Sequence, residues 1–282
     1  MFSNFVTKFF SIAVLFSVFS VTAARPAAAH LPVAAPDKFA ASTGETVNIR
    51  AGLAEPLIEY AYSVENLLDA GHAGGHATMT GKVRFADGSS TPLSFSPADR
   101  NAPGKSLFDT ASVKIEKPGT AVVAFRFDFN SGTRPTVAFG KTLLNWTADM
   151  SATARIGDEN VLEVVQDADT GPVSSGQAVT FQFLLRGAPL AGAVVSATYD
   201  GAPLPEKPEE GEESNNEYIH ATTDASGRVT FIPDRPGTWV IGCEYLDGSA
   251  PKNKPEYNDA ARYPEWKGIR YRGTLTFIIP IK

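Results

Sequence analysis

The chain has 282 residues, with 31 acidic and 25 basic side chains, which gives a formal net charge of −6. This balance argues against a nucleic-acid partner, because proteins that bind nucleic acid carry a basic face. The length fits one large domain or two ordinary ones. The only cysteine, Cys243, cannot form an internal disulfide, and its apolar neighbours predict a buried, unreactive thiol. The fold is therefore expected to depend on core packing.

Residues 1–29 have the features of a cleavable signal peptide. Lys8 precedes the apolar run at 9–21, and three alanines at 27–29 form a small-residue cleavage site. We therefore expect the mature chain to begin at His30, to lie in the periplasm and to have no transmembrane segment. An uncleaved anchor is the alternative, although the apolar run is short for a membrane span.

The rest of the chain has almost no helical periodicity. Short runs of alternating or β-branched residues lie between clusters of Gly, Pro, Asp and Ser, which is typical of an antiparallel β-sandwich. Between 125 and 129 aromatic residues alternate with charged ones, so one face of that strand should be buried and the other wet. The predicted strands are 45–50, 82–85, 112–116, 120–129, 161–165, 178–185, 194–199, 228–232, 238–244 and 273–279.

A short internal repeat predicts two domains. The sequence KPGT at 117–120 returns as RPGT at 235–238, and each copy lies between two predicted strands. Pro-Gly gives a tight reversal, because Pro presets the first turn position and Gly permits a positive φ at the next. After the signal peptide 1–29 we predict two tandem β-sandwich domains, immunoglobulin-like or prealbumin-like, at 30–155 and 156–282. Their division falls near residues 148–160, and a chance Pro-Gly turn is the alternative.

Several motifs of the second half resemble a known family. They are GAPLAGA at 187–193, TDASGRVTF at 223–231 and RPGTW at 235–239, with an acidic segment at 206–217 before the second. Their order resembles the C-terminal part of the NikM-like family, a domain of unknown function described as the periplasmic component of nickel or cobalt uptake. AFGKTLL at 138–144 is similar to the segment that precedes that part.

The resemblance implies a nickel or cobalt ligand and a membrane metal-uptake transporter as partner. A histidine directly after the signal peptide, here His30, is a further habit of the family. Two features depart from its pattern. Members tied to a transporter often carry a C-terminal membrane helix, and residues 275–281 are only a strand-length apolar run. The family's histidine segment is also not matched word for word by residues 71–76.

The histidines provide the candidate metal site. As a mature N-terminal residue, His30 would offer its α-amine and imidazole Nδ1 to one ion, and imidazole binds nickel, cobalt, copper and zinc. Pro32 has no amide proton, which excludes wrapping of the metal by successive backbone amides. His72 and His76 lie in the glycine-rich sequence DAGHAGGH at 69–76, which favours a loop that wraps an ion. Incidental, solvent-exposed histidines are the alternative.

Other residues are weaker candidates. His220, with Glu213 or Glu217, could add ligands, but it is more simply the start of a strand that follows a solvated acidic loop. Met79 is a candidate soft ligand, although packing is its commoner role. Aromatic and basic residues alternate between 257 and 272, which we interpret as a long loop held on the sandwich by its aromatic rings.

The leading functional prediction is periplasmic binding and delivery of a divalent transition metal, nickel or cobalt before copper or zinc, by His30, His72 and His76. No catalytic residue is predicted, because the chain has no nucleophile elbow, phosphate-binding glycine loop or HExxH motif. One alternative is a non-catalytic envelope module that binds a protein or glycan. A second is a copper-dependent oxygenase with an N-terminal histidine brace.

Overall fold

The computed structural model describes residues 31–54, 61–62, 78–96, 108–131, 134–147, 161–166, 172–200, 219–247 and 268–281. These residues form β-strands and turns without a helix, which confirms the predicted all-β class. Within the described ranges, accordingly, there is no helix with the length and apolarity needed to cross a membrane.

The first eight strands form what we call the first unit. They are β1 (Leu31–Pro36), β2 (Thr46–Ala54), β3 (Ala61–Tyr62), β4 (Thr78–Arg84), β5 (Ser90–Leu93), β6 (Asp109–Lys114), β7 (Ala121–Ser131) and β8 (Arg134–Leu144). The next eight form the second unit. They are β9 (Leu162–Gln166), β10 (Val179–Leu185), β11 (Ala188–Pro189), β12 (Val194–Tyr199), β13 (Ile219–Thr222), β14 (Arg228–Phe231), β15 (Gly237–Asp247) and β16 (Ile269–Ile279).

The two units have the same strand pairing. In the first, β2 pairs with β1, β3 and β6, β4 pairs with β5 and β7, and β7 pairs with β8. Adding eight to each label gives the pairing of the second unit, in which β10 pairs with β9, β11 and β14, and β15 pairs with β12 and β16. The four-residue repeat in the sequence is therefore part of a repeat that extends over all sixteen described strands.

The units share one sheet. The eight-stranded sheet has the order β13-β12-β15-β16-β8-β7-β4-β5, so β16 of the second unit lies beside β8 of the first. This pair is parallel, whereas the other described pairs are antiparallel as the sequence predicts. The predicted division at 148–160 lies outside the described residues, but the sheet continues from one unit to the other.

The two smaller sheets cover opposite faces of the large one, because successive residues of a strand point to opposite sides. Ala138 and Leu144 of β8 belong to one core cluster with Val47 and Ile49 of the first unit. Val137, Phe139 and Leu143, which alternate with them, belong to a second cluster with Phe181 of β10. This stacking of sheets around apolar cores confirms the β-sandwich prediction.

The predicted turns form as the sequence indicates. Gly119 and Gly237 have φ values of 88° and 128°, which a side chain would disfavour, and a long strand follows each turn. At the turn before β14, Asp224 Oδ1 accepts hydrogen bonds from the amides of Arg228 at 2.9 Å and Ser226 at 2.7 Å. The Arg228 bond is the main reason that the pKa of Asp224 is lowered.

The ten predicted strands all coincide with observed ones, within a few residues at their ends. The strand predicted around His220 corresponds to β13, and β1, β3, β5, β8 and β11 were not predicted. The prediction of a loop up to residue 272 is wrong at its end, because Arg270, Tyr271 and Arg272 belong to β16. They are buried there, in a strand that is covered on both faces.

Candidate functional site

Of the three predicted metal ligands, none has a described position. His30 directly precedes Leu31, the first residue of β1, and His72 and His76 precede Thr78, the first residue of β4. The structure therefore describes the strands that follow these histidines in the chain, β1 and β4.

Both strands begin at one end of the molecule, which we call the Leu31 end. Leu31 pairs with Ala54, so β1 begins where β2 ends. At the opposite end, the side-chain amide of Asn145, just after β8, exchanges two hydrogen bonds of 2.8 Å with the backbone of Ala41, between β1 and β2. Strand β8 thus runs in the same direction as β1 and begins at the Leu31 end. Thr78 pairs with Asp128 near the end of β7, which places the start of β4 there too.

The second unit contributes to the same end. Strand β16 is parallel to β8, with Arg270 beside Thr136, so it also begins at the Leu31 end, and β15 ends there. The segments at 55–60, 63–77, 97–107 and 248–267, which lie outside the described residues, all join the described strands at this end. The topology therefore places Leu31, Thr78, the end of β15 and the start of β16 at the same end of the molecule.

A buried group of charges lies near this end and was missed by sequence reasoning. Glu244 of β15 accepts a hydrogen bond of 2.9 Å from Nε of Arg272, and its other carboxylate oxygen is 3.4 Å from Nε of Arg270. The Arg270 side chain is 1% exposed and that of Glu244 is 23% exposed. Two guanidinium groups of β16 thus share one carboxylate of β15. In the sequence, the charged residues at the start of β16 are more typical of a loop than of a buried strand.

This charged group lies on the face of β16 that β1 covers. Thr274, two residues beyond Arg272 and on the same face, donates its hydroxyl to the carbonyl oxygen of Pro32. All six residues of β1 are buried. The residue proposed as the metal anchor is thus joined to a strand that is held firmly by both units.

A second buried ion pair connects the two units on the opposite face. Lys141 Nζ of β8 lies 2.9 Å from Glu163 Oε1 of β9, and the side chains are 3% and 6% exposed. Burial lowers the pKa of Lys141, an effect that the neighbouring Glu163 opposes. The pair is far from solvent, which favours a role in assembly rather than in binding.

The other predicted candidates that the structure describes lie in strands. Met79 is half-buried and packs against the core of the first unit. His220 lies in β13, paired with Ser196, at the edge of the large sheet and three strands from β16. Cys243 is buried in the core of the second unit, where burial raises the pKa of its thiol well above its usual range, as expected for an unreactive thiol. In the described ranges no three His, Cys, Asp or Glu side chains are grouped as metal ligands.

The fold and pairing define a tandem of immunoglobulin-like β-sandwich units that share a sheet. The family model described as "Domain of unknown function (DUF4198)" matches residues 27–247, and the chain belongs to that family. No curated protein matches it.

Solved structures resemble the chain only distantly. A DUF4785 family protein from Legionella pneumophila has 9% identity and a TM-score of 0.29, over 74% of this chain and 51% of its own. The chain therefore spans about half the length of that protein. The D0-D1 domain of intimin has 16% identity and a TM-score of 0.20, over 87% and 96%. The ectodomain of mouse nectin-like molecule 4 has 11% identity and a TM-score of 0.21, over 90% and 66%.

Proposed function

We propose that the protein binds a divalent transition metal in the periplasm, nickel or cobalt in the first place, and delivers it to a membrane uptake transporter without catalysing a reaction. His30, His72 and His76 are the proposed ligands. The observation that carries the proposal is the common starting end of β1 and β4, because these strands follow the histidine-bearing positions. The resemblance of the sequence motifs to the NikM-like family supports the choice of metal.

The physical basis is the chelating power of a histidine at a free N-terminus. The α-amine and the imidazole of one residue bind a metal together, and further imidazoles from a nearby segment complete the site. Leu31, which directly follows the proposed first ligand in the chain, is buried and paired with Ala54. Ligands that are held in place before binding lower the entropy that binding must remove.

We predict that removing any of the proposed ligands weakens nickel binding at least about tenfold, since even groups that only orient metal ligands are worth about 10–100-fold in affinity. The measurement is calorimetric titration with nickel, cobalt, copper and zinc. The protein is secreted so that its N-terminus is His30, as checked by mass spectrometry. The variants are His72→Ala/His76→Ala and a form extended by one alanine before His30, which keeps the imidazole but moves the α-amine.

His220→Ala is the matched control, because His220 is held in β13 at a sheet edge away from β16, and its affinity should equal that of the wild type. Binding by the wild type should weaken as the pH falls through about 6.5, because neutral imidazoles are required. Unchanged affinity in both ligand variants would refute the site. No stoichiometric binding of any metal would favour the envelope interaction module. Copper preference with peroxide formation in the presence of a reductant would favour the oxygenase.

A further inference from the structure

We propose that the two units are obligate partners and fold only as one cooperative body, because each needs surface of the other to complete its own sheet and core. The surface concerned, which we call the seam, consists of the parallel ladder between β8 and β16 and of β1 and β9, which lie over it on opposite faces. This inference is independent of the proposed metal function.

The backbone pairing of β8 with β16 joins the two units. The ladder joins β8 from Thr136 to Thr142 with β16 from Arg270 to Thr276 without a break in register. If the units were apart, β8 and β16 would each become the edge strand of a four-stranded sheet. An open edge of such long, apolar strands leaves backbone donors and acceptors unpaired and invites aggregation. Both strands are 11 residues long, and the proline of β8, Pro135, lies just outside the stretch that pairs with β16.

Strand β16 shows the dependence at the level of side chains. One face of β16 contributes Leu275 and Phe277 to the core of its own unit. On its other face, Arg270, Arg272, Thr274 and Thr276 are also buried, and Thr274 donates to the carbonyl oxygen of Pro32 in the first unit. A strand that is buried on both faces is typical of the interior of a sheet, not of a domain boundary.

The neighbouring strand β15 is covered in the same way. Val240 is fully buried, and it forms a cluster with Leu31, Val33 and Ala35 of β1 and with Phe108. The first strand of the first unit thus packs on the sheet of the second. Without the first unit, Val240 would lose its apolar surroundings and be exposed to water, which is unfavourable for an apolar side chain.

The first unit depends on the second in turn. Val137, Phe139 and Leu143 of β8 are buried in the cluster built around Phe181 and Phe277 of the second unit. Lys141, on the same face of β8, is buried against Glu163 of β9. Separation would expose these apolar side chains and remove the carboxylate that Lys141 faces. The Lys141–Glu163 pair also disfavours the association of the first unit with other surfaces. A surface without a carboxylate at this place would bury the ammonium of Lys141 without a compensating charge.

The test cuts the chain between the units while they remain folded. A protease recognition sequence is inserted in the full mature chain between 148 and 160, and the uncut inserted protein is the control. After cleavage, the two halves should elute as one particle with the mass of the intact chain at micromolar concentration. They should separate only at the urea concentration that also abolishes the β-sheet signal in circular dichroism.

Scanning calorimetry of the unaltered chain provides a second measurement that needs no insertion. One transition is expected, with a van't Hoff enthalpy equal to the calorimetric enthalpy of the whole chain. Halves that separate while each keeps its β-sheet signal, or two resolved calorimetric transitions, would overturn the proposal. Metal affinity enters neither measurement, so the outcome is separate from that of the titration above.

Discussion

Replacing Lys141 by methionine should lower the free energy of unfolding by about 3–5 kcal/mol, the usual cost of removing one partner of a buried ion pair. The Glu163 carboxylate, 6% exposed and 2.9 Å from the ammonium, would remain buried without it. The side chain that is lost is similar in length to methionine, so the effect reflects the missing charge more than a cavity. Urea unfolding monitored by circular dichroism measures it.

The double variant Lys141→Met/Glu163→Leu separates charge from packing. When both partners of a buried pair are replaced by apolar residues, stability is often unchanged or increased by about 1–4 kcal/mol. We therefore expect the second substitution to recover most of the loss. A double variant as unstable as the single one would show that the pair is not the cause.

The exposed pair Arg126–Asp128 is the matched control for the ion-pair prediction. Its Nη2–Oδ2 distance is 2.8 Å, similar to that of the buried pair, but its side chains are 39% and 53% exposed. Arg126→Met should change the stability by less than about 1 kcal/mol, since exposed pairs contribute little. The contrast between two pairs of similar geometry would assign the difference to burial.

The strands that the sequence predicts correctly are those with a local pattern. In β7, Phe125 and Phe127 point into the core of the first unit while Arg126 and Asp128 point away, as the alternation indicates. The two Pro-Gly turns could also be predicted from neighbouring residues alone, because this dipeptide favours a turn with glycine at positive φ. At the start of β7, however, Val122 and Ala124 on the other face are buried in the core of the second unit, so that face is exposed only toward the end of the strand.

Strand β1 was not predicted because its two prolines are untypical of a strand. Pro32 and Pro36 lie within six residues, and proline is depleted in strands because it cannot donate to the ladder. Here β1 pairs with β2 alone and lies at the edge of its sheet, where proline is tolerated. Ala34 is buried in the core of the first unit, whereas Leu31, Val33 and Ala35 are buried against Val240 of the second, a contact that no local pattern reports.

The seam was also beyond the reach of the sequence. The parallel pairing of β8 with β16 joins residues more than a hundred positions apart, and no periodicity encodes it. Arg270 and Arg272 indicated an exposed loop because charged residues are almost never fully buried unless paired. Glu244, which accepts from Arg272, stands opposite it on the next strand and far from it in sequence.

Only part of the candidate site could be predicted from the sequence. The histidines and the chelating terminus could be named from residue chemistry alone. The common starting end of β1 and β4 could not, because it follows from the direction of β1 and β8, which depends on the Asn145–Ala41 hydrogen bonds and the sheet registers. The ligands remain a prediction, because His30, His72 and His76 lie outside the described residues.

Replacing Trp239 by alanine should lower the free energy of unfolding by about 3–5 kcal/mol, as for other fully buried aromatic residues. Its side chain is fully buried, with the ring centroid 5.0 Å from that of Phe231 and 5.1 Å from that of Tyr199. The indole Nε1 donates to the carbonyl oxygen of Arg235 at 3.1 Å, which ties the Pro-Gly turn to the core. Trp239→Phe keeps most of the apolar contact and should lose about 1–2 kcal/mol.

Ile232, 57% exposed, is the control position for Trp239, and Ile232→Ala should change the stability by less than about 0.5 kcal/mol.

The number of unfolding transitions of Trp239→Ala also tests whether the seam couples the two units. Because Trp239 lies in the second unit, independent units would unfold in two steps in this variant, the second unit first. If the seam couples the units, calorimetry should show one transition that is shifted as a whole to lower temperature. A lower first transition beside an unshifted second one would contradict that coupling, even if the total loss of stability were as expected.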